Sequence, residues 1–170
     1  MKSYHHKYYT PKHPVSARPM GEIAGFPVRP GMFDINGATA LPLGVNFTIH
    51  THGGTSCELL IFHRGEREPY AVLPFPEEYK IGDVYSMIVF GLDIEEFEYA
   101  YRVDGPNCRE KGLTFDKNAV LLDPYAKAVV GQSVWGQRQK NSYHARVVAD
   151  VFDWGEMPQS KRSMSDLIIY

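Results

Sequence analysis

Phe97, Tyr99, Tyr101 and Val103 alternate with Glu98, Ala100, Arg102 and Asp104 along one extended segment. A period of two puts the aromatic set on one face and the polar set on the other, which predicts a half-buried β-strand. On this pattern Phe97, Tyr99 and Tyr101 are core residues. Asp104-Gly105-Pro106 stops the strand, because glycine accepts positive φ and proline cannot extend a ladder. The same alternation runs from Leu43 to Thr51 through Val45, Phe47 and Ile49. Cys57 to His63 is an almost continuous apolar run. Tyr70 to Phe75 is short, and Pro69 and Pro74 assign it to a sheet edge. Val84 to Leu92, 97–103 and 119–122 are rich in β-branched and aromatic residues, with glycines between the runs. Six or seven strands so spaced predict an all-β, immunoglobulin-like antiparallel β-sandwich.

The two ends of the chain read differently. Residues 1–29 have no period and are expected to form an irregular lead-in. The sandwich is placed at 30–130. Residues 131–163 gain Gly, Gln, Arg, Lys and Ser and read as a linker. After it, Asp166-Leu167-Ile168-Ile169-Tyr170 has the character of a buried strand.

Composition narrows the function classes. Eleven Tyr and nine Phe supply a core, and 15 Gly and 12 Pro suit a turn-rich β protein. A net charge of -2 gives no electrostatic case for nucleic acid or an anionic membrane. No apolar run reaches the roughly 20 residues that cross a bilayer, and the N-terminus is not a secretory signal as it stands. The two cysteines, Cys57 and Cys108, are read as free thiols and the setting as a reducing cytoplasm. His5, His6 and His13 match no tetrahedral ligand spacing, so neither metal nor cofactor is expected.

The order YAYRVDGP (99–106) then LLDPYAKAV (121–129) resembles the N-terminal β-sandwich of debranching enzymes of the α-amylase superfamily. These are the isoamylases, pullulanases and glycogen debranching enzymes, whose sandwich is also classed as a carbohydrate-binding module. The entry RPGMFDINGATALPLGVNFTIHT (29–51) is similar to that family's opening. Within the motif Tyr99, Tyr101, Arg102, Asp104, Gly105, Asp123, Pro124 and Tyr125 are expected to be structural, Asp123 by capping its turn through a side-chain oxygen. Arg102 and Asp104 share the outward face and are candidates to pair.

The resemblance implies a parent that hydrolyses α-1,6 links of glycogen- or starch-type glucans. It implies that the chain leads into the first strand of a catalytic (β/α)₈ barrel, whose carboxylates would lie beyond Tyr170. The fragment is then a non-catalytic accessory domain whose partners are that barrel and an α-glucan. Glu77-Glu78 and Glu95-Glu96 sit near turns as solvated charge and make no hydrolase pair. Related glucan-binding modules use a Lys just before the V-D-G turn and a Trp just after it. Here those positions are Ala100, on the outward face, and Asn107. Trp135 and Trp154 remain as candidate stacking platforms for a sugar ring. A stand-alone binding or adhesion module, or the equivalent domain of a branching enzyme, are the alternatives.

Overall fold

The computed structural model describes residues 18–132, 136, 143–149, 163, 165 and 168. In chain order the strands are β1 (Gly21–Ile23), β2 (Phe26–Pro30), β3 (Gly37–Leu41), β4 (Gly44–His50), β5 (Ser56–His63), β6 (Ala71–Pro74), β7 (Lys80–Ile81), β8 (Val84–Phe90), β9 (Phe97–Asp104), β10 (Asn107–Cys108), β11 (Leu113–Thr114), β12 (Ala128–Val130) and β13 (His144–Arg146). One sheet has the order β1-β2-β8-β4-β3, with β7 on β8. The other has the order β12-β13-β9-β5-β6, and β10-β11 is a separate hairpin. All strand pairs are antiparallel.

The two sheets pack face to face as a β-sandwich. Val45, Phe47 and Ile49 of β4 and Tyr85, Met87 and Val89 of β8 point into the same core as Leu59, Ile61, Phe97, Tyr99, Tyr101 and Val103 of the second sheet. Phe47 meets Tyr99 edge-on at 5.2 Å between ring centroids and Phe97 at 6.3 Å. This geometry matches the positive edge of one ring to the negative face of the next. Pro74 closes β6, the edge strand that the flanking prolines demand.

The outer face of the first sheet is pinned by polar groups. Asn46, Thr48 and Ser86 are fully buried there. Met32 N donates to Asn46 Oδ1 at 2.8 Å, and Thr48 Oγ1 donates to Met32 O at 3.0 Å. They hold the connection from β2 to β3 against the sheet. Gly31 is needed there, since a Cβ would meet Ser86 Oγ and Asn46 Oδ1 and lie 2.7 Å from the Met87 nitrogen.

Several expectations change. Strand pairing begins at Gly21, inside the stretch 1–29 read as an irregular lead-in. β13 lies inside the stretch read as linker, yet it pairs with both β12 and β9. Residues 119–122 contribute one bridge, Leu121 to Tyr101, rather than a strand. Ala100 is not exposed: with Leu60 and Phe62 it forms a second apolar cluster, flanked by Val72 and Val120. The terminal strand expected at 166–170, like His5, His6 and His13, lies outside the continuously described residues.

Candidate functional site

Both sequence motifs meet at β9. Asp123 is buried, and its Oδ2 accepts the Tyr99 hydroxyl at 2.7 Å. Its Oδ1 accepts the backbone N–H of Tyr125 at 2.8 Å, the turn cap expected of an Asp-Pro step. Burial raises the Asp123 carboxyl above its ordinary range, and the two donors partly offset this. Burial also pushes the Tyr99 phenol up, as does the neighbouring Asp123 charge, so the hydroxyl stays a donor. Tyr125 is exposed and Gly37 lies against it: a Cβ at Gly37 would come 2.9 Å from Tyr125 Cβ. Tyr101 is fully buried, and its hydroxyl has no hydrogen-bond partner.

Glu98 and Arg102 follow on the outer face of the same strand. Glu98 is buried, and its carboxylate accepts from Arg146 Nη2 at 2.9 Å, from Gly65 N at 3.3 Å and from His144 Nδ1 at 3.1 Å. An ionised carboxylate can only accept, so Nδ1 carries the proton of that bond. His144 stacks on Phe62 with centroids 3.8 Å apart. Arg102 does not pair with Asp104: its Nη1 donates to Glu58 Oε2 at 3.2 Å, straight across the strand register. Asp104 instead accepts Gly105 N at 2.9 Å and caps the turn.

Beyond that pair the outer face opens into a recess of about 360 Å³ lined by Ser56, Glu58, Arg102, Asp104, Lys117 and Asn118. No aromatic side chain lines it. The stacking candidates Trp135 and Trp154 lie outside the described residues. Sequence reasoning missed this recess and the Glu98 cluster. Alternation tells which side chains point outward and not what lies across from them. The signal that was present is the opposite-charge register of Glu58 and Arg102, which needs the strand pairing to be visible.

Cys57 is buried and free, and burial holds its thiol far above the ordinary range; Cys108 is free and half-buried. Among the described residues no group of three or more His, Cys, Asp or Glu side chains is placed to hold a metal ion. No helix among them is long and apolar enough to cross a membrane.

The architecture is that of a two-sheet β-sandwich module whose buried carboxylates serve the fold. Residues 36–126 match the family described as Carbohydrate-binding module 48 (Isoamylase N-terminal domain), and this chain belongs to it. The match takes in the first motif, the second as far as Ala126, and the strands from β3 to β11. Among curated relatives, Isoamylase 3, chloroplastic, of Oryza sativa subsp. japonica is 35% identical over 159 residues, covering 81% of this chain and 20% of that protein. Isoamylase SU1, chloroplastic, of Zea mays is 32% identical over 146 residues, covering 79% of this chain and 18% of that protein. A glycogen debranching enzyme of Salmonella typhi is 28% identical over 148 residues, covering 79% and 22%. The chain therefore spans about a fifth of the length of these relatives. A solved Klebsiella pneumoniae pullulanase complexed with maltotriose has the same fold over 67% of this chain and 9% of its own, with a TM-score of 0.50 and 20% identity.

Proposed function

We propose that this chain is the non-catalytic N-terminal accessory domain of a debranching glycoside hydrolase acting on α-1,6 links of glycogen- or starch-type glucans. The observation that carries the reading is the family match over 36–126, set on a sandwich whose strand β9 carries the first motif and is met by the second through the Leu121–Tyr101 bridge and the Asp123–Tyr99 hydrogen bond. The role of the domain, an immunoglobulin-like sandwich, is to brace a (β/α)₈ catalytic barrel in the same polypeptide and to contact glucan. The relatives' length leaves room for that barrel.

The chemistry of this chain points the same way. Glycoside hydrolysis with retention needs two carboxyl groups about 5–5.5 Å apart across the scissile bond. The buried carboxylates here, Glu98 and Asp123, are each committed to two or more donors within the fold. The free thiols of Cys57 and Cys108 fit the cytoplasmic setting that the bacterial debranching relatives suggest, or a plastid such as the plant relatives' names specify.

The test compares this 170-residue chain with the full-length enzyme on amylopectin and on linear amylose. The full-length enzyme should release linear chains from amylopectin, and the isolated chain should release none. Hydrolysis by the chain alone would overturn its accessory status. New α-1,6 links made on amylose by the full-length protein would overturn debranching in favour of branching.

A further inference from the structure

Asn36-Gly37 is the one Asn-Gly step in the chain, and it stands where the connection from β2 enters β3. Glycine has no Cβ to shield its backbone nitrogen, so that nitrogen can approach the preceding Asn side-chain carbonyl carbon more closely than any other residue's can. Asn46, Asn107, Asn118 and Asn141 are each followed by a residue with a Cβ.

The fold leaves this step open. Asn36 is exposed, and among the described residues its side-chain amide has no hydrogen bond or ion pair. Asn46 is the opposite case: it is buried, its Oδ1 accepts Met32 N at 2.8 Å, and its Nδ2 donates to Thr48 Oγ1 at 3.0 Å. Gly37 pairs with Thr48 as the first rung of the β3–β4 ladder. Fraying of that end rung frees the Gly37 nitrogen while the rest of the strand stays paired. The glycine cannot be exchanged for a bulkier residue. Its φ is +83°, and a Cβ there would come 2.9 Å from Tyr125 Cβ and 3.3 Å from Tyr125 O. Close packing against Tyr125 therefore keeps a labile step at the entry to β3.

We propose that Asn36 is a site of spontaneous deamidation, and that its isoaspartyl product unseats the turn at Asp123–Tyr125. The Gly37 nitrogen attacks Asn36 Cγ, a C–N bond forms, and the side-chain nitrogen leaves as ammonia with the Gly37 proton. The product is a cyclic succinimide. Water then opens the ring. Attack at Cγ breaks the new bond and gives an ordinary aspartate. Attack at the main-chain carbonyl carbon breaks the original peptide bond, and the chain then runs through Cγ as isoaspartate. No oxidant or reductant is needed. The isoaspartyl form lengthens the main chain by one methylene. A chain so lengthened cannot keep both the Gly37–Thr48 rung and the close seat of Gly37 against Tyr125. The aspartyl form keeps both. The inference does not depend on what the parent enzyme cleaves.

The experiment incubates the 170-residue chain for weeks in mildly alkaline buffer, followed by peptide mass mapping that separates isoaspartyl from aspartyl forms. The peptide that carries Asn36 should gain one mass unit, mainly as the isoaspartyl form. The gain should be slower than in a free peptide of residues 33–40, because the end rung must first open. Asn107 and Asn118 should stay unchanged. In the isoaspartyl fraction the Tyr125 amide, held by Asp123 Oδ1, should exchange about tenfold faster. Two variants at this exposed position act as controls. Asn36→Gln should gain no mass, and Asn36→Asp should carry the new charge yet keep the slow Tyr125 amide. No gain at Asn36 while the free peptide converts fully would overturn the site. Equal gains at Asn107 or Asn118 would overturn the part assigned to the glycine. An isoaspartyl fraction with unchanged Tyr125 exchange, or a fast Tyr125 amide in Asn36→Asp, would overturn the link from the lengthened backbone to the turn.

Discussion

Asp123 is a buried carboxylate satisfied from two sides, by the Tyr99 hydroxyl and the Tyr125 N–H. Burial nevertheless raises its pKa above the ordinary 3.8, so the folded chain holds this proton more tightly than the unfolded one. Between 3.8 and the raised value the folded state binds more protons, and stability attributable to Asp123 falls as pH rises through that window. Above the window the cost is constant, and the donors limit it. Tyr99→Phe keeps the ring and deletes one donor. It should cost about 1–3 kcal/mol at neutral pH, and clearly less near pH 3, where Asp123 is protonated. Tyr101→Phe is the control: that hydroxyl is buried without a partner, so its loss should be neutral or mildly stabilising. Denaturant midpoints of both variants at the two pH values check this. Equal losses for Tyr99→Phe at both would mean that ionisation of Asp123 adds nothing to this hydrogen bond.

At the scale of elements, β13 is the most dependent piece. It is three residues long and meets β9 through the single register pair Ala145–Tyr99. Glu98 supplies what the short ladder cannot, holding His144 and Arg146 from the neighbouring strand. Glu98→Gln removes a buried charge and leaves Arg146 without its counter-ion, at a cost on the order of 3 kcal/mol. Its amide-exchange signature should be local first, with β12 and β13 losing protection before β4 and β8 do. Uniform loss across both sheets would show that β13 is not separately held. The same strand marks the limit of what the sequence discloses. β4, β8 and β9 were legible because seven or eight residues of alternation or β-branched run outlast any accident. β13 has no such run, and its assignment depends on a partner strand far off in sequence. The Asp123 cap was legible from Asp-Pro turn chemistry, whereas its second partner, Tyr99, required the fold. Glu98 and Ala100 fall on the outward face, as the period states, yet both are buried, because the period carries no information about what packs over that face.

The whole molecule is tied together by one run of rings that passes between the sheets. Phe47 on β4 meets Tyr99 on β9, Tyr99 meets Tyr101 at 5.8 Å, Tyr101 meets Phe75 at 6.4 Å, and Phe75 meets Tyr85 on β8 at 5.8 Å. The run starts and ends in the first sheet and passes through the second, so neither sheet keeps its inner face covered if the other leaves. In the bracing role proposed above, that coupling would let a load on one face be shared by both layers. Phe47 is fully buried at the start of the run. Phe47→Ala should cost about 3–5 kcal/mol through lost transfer energy and an imperfectly collapsed cavity. That is a large share of the 5–15 kcal/mol that holds a typical domain together. The loss should appear as one transition: near-ultraviolet dichroism, which reports ring packing, and far-ultraviolet dichroism, which reports strands, should shift to the same lower denaturant midpoint with an unchanged slope. Glu98→Gln provides the contrast, with early exchange confined to one edge of the second sheet. If ring packing in Phe47→Ala were lost at a lower denaturant concentration than the strands, the sheets would be separable and the coupled-layer account of the domain would fail.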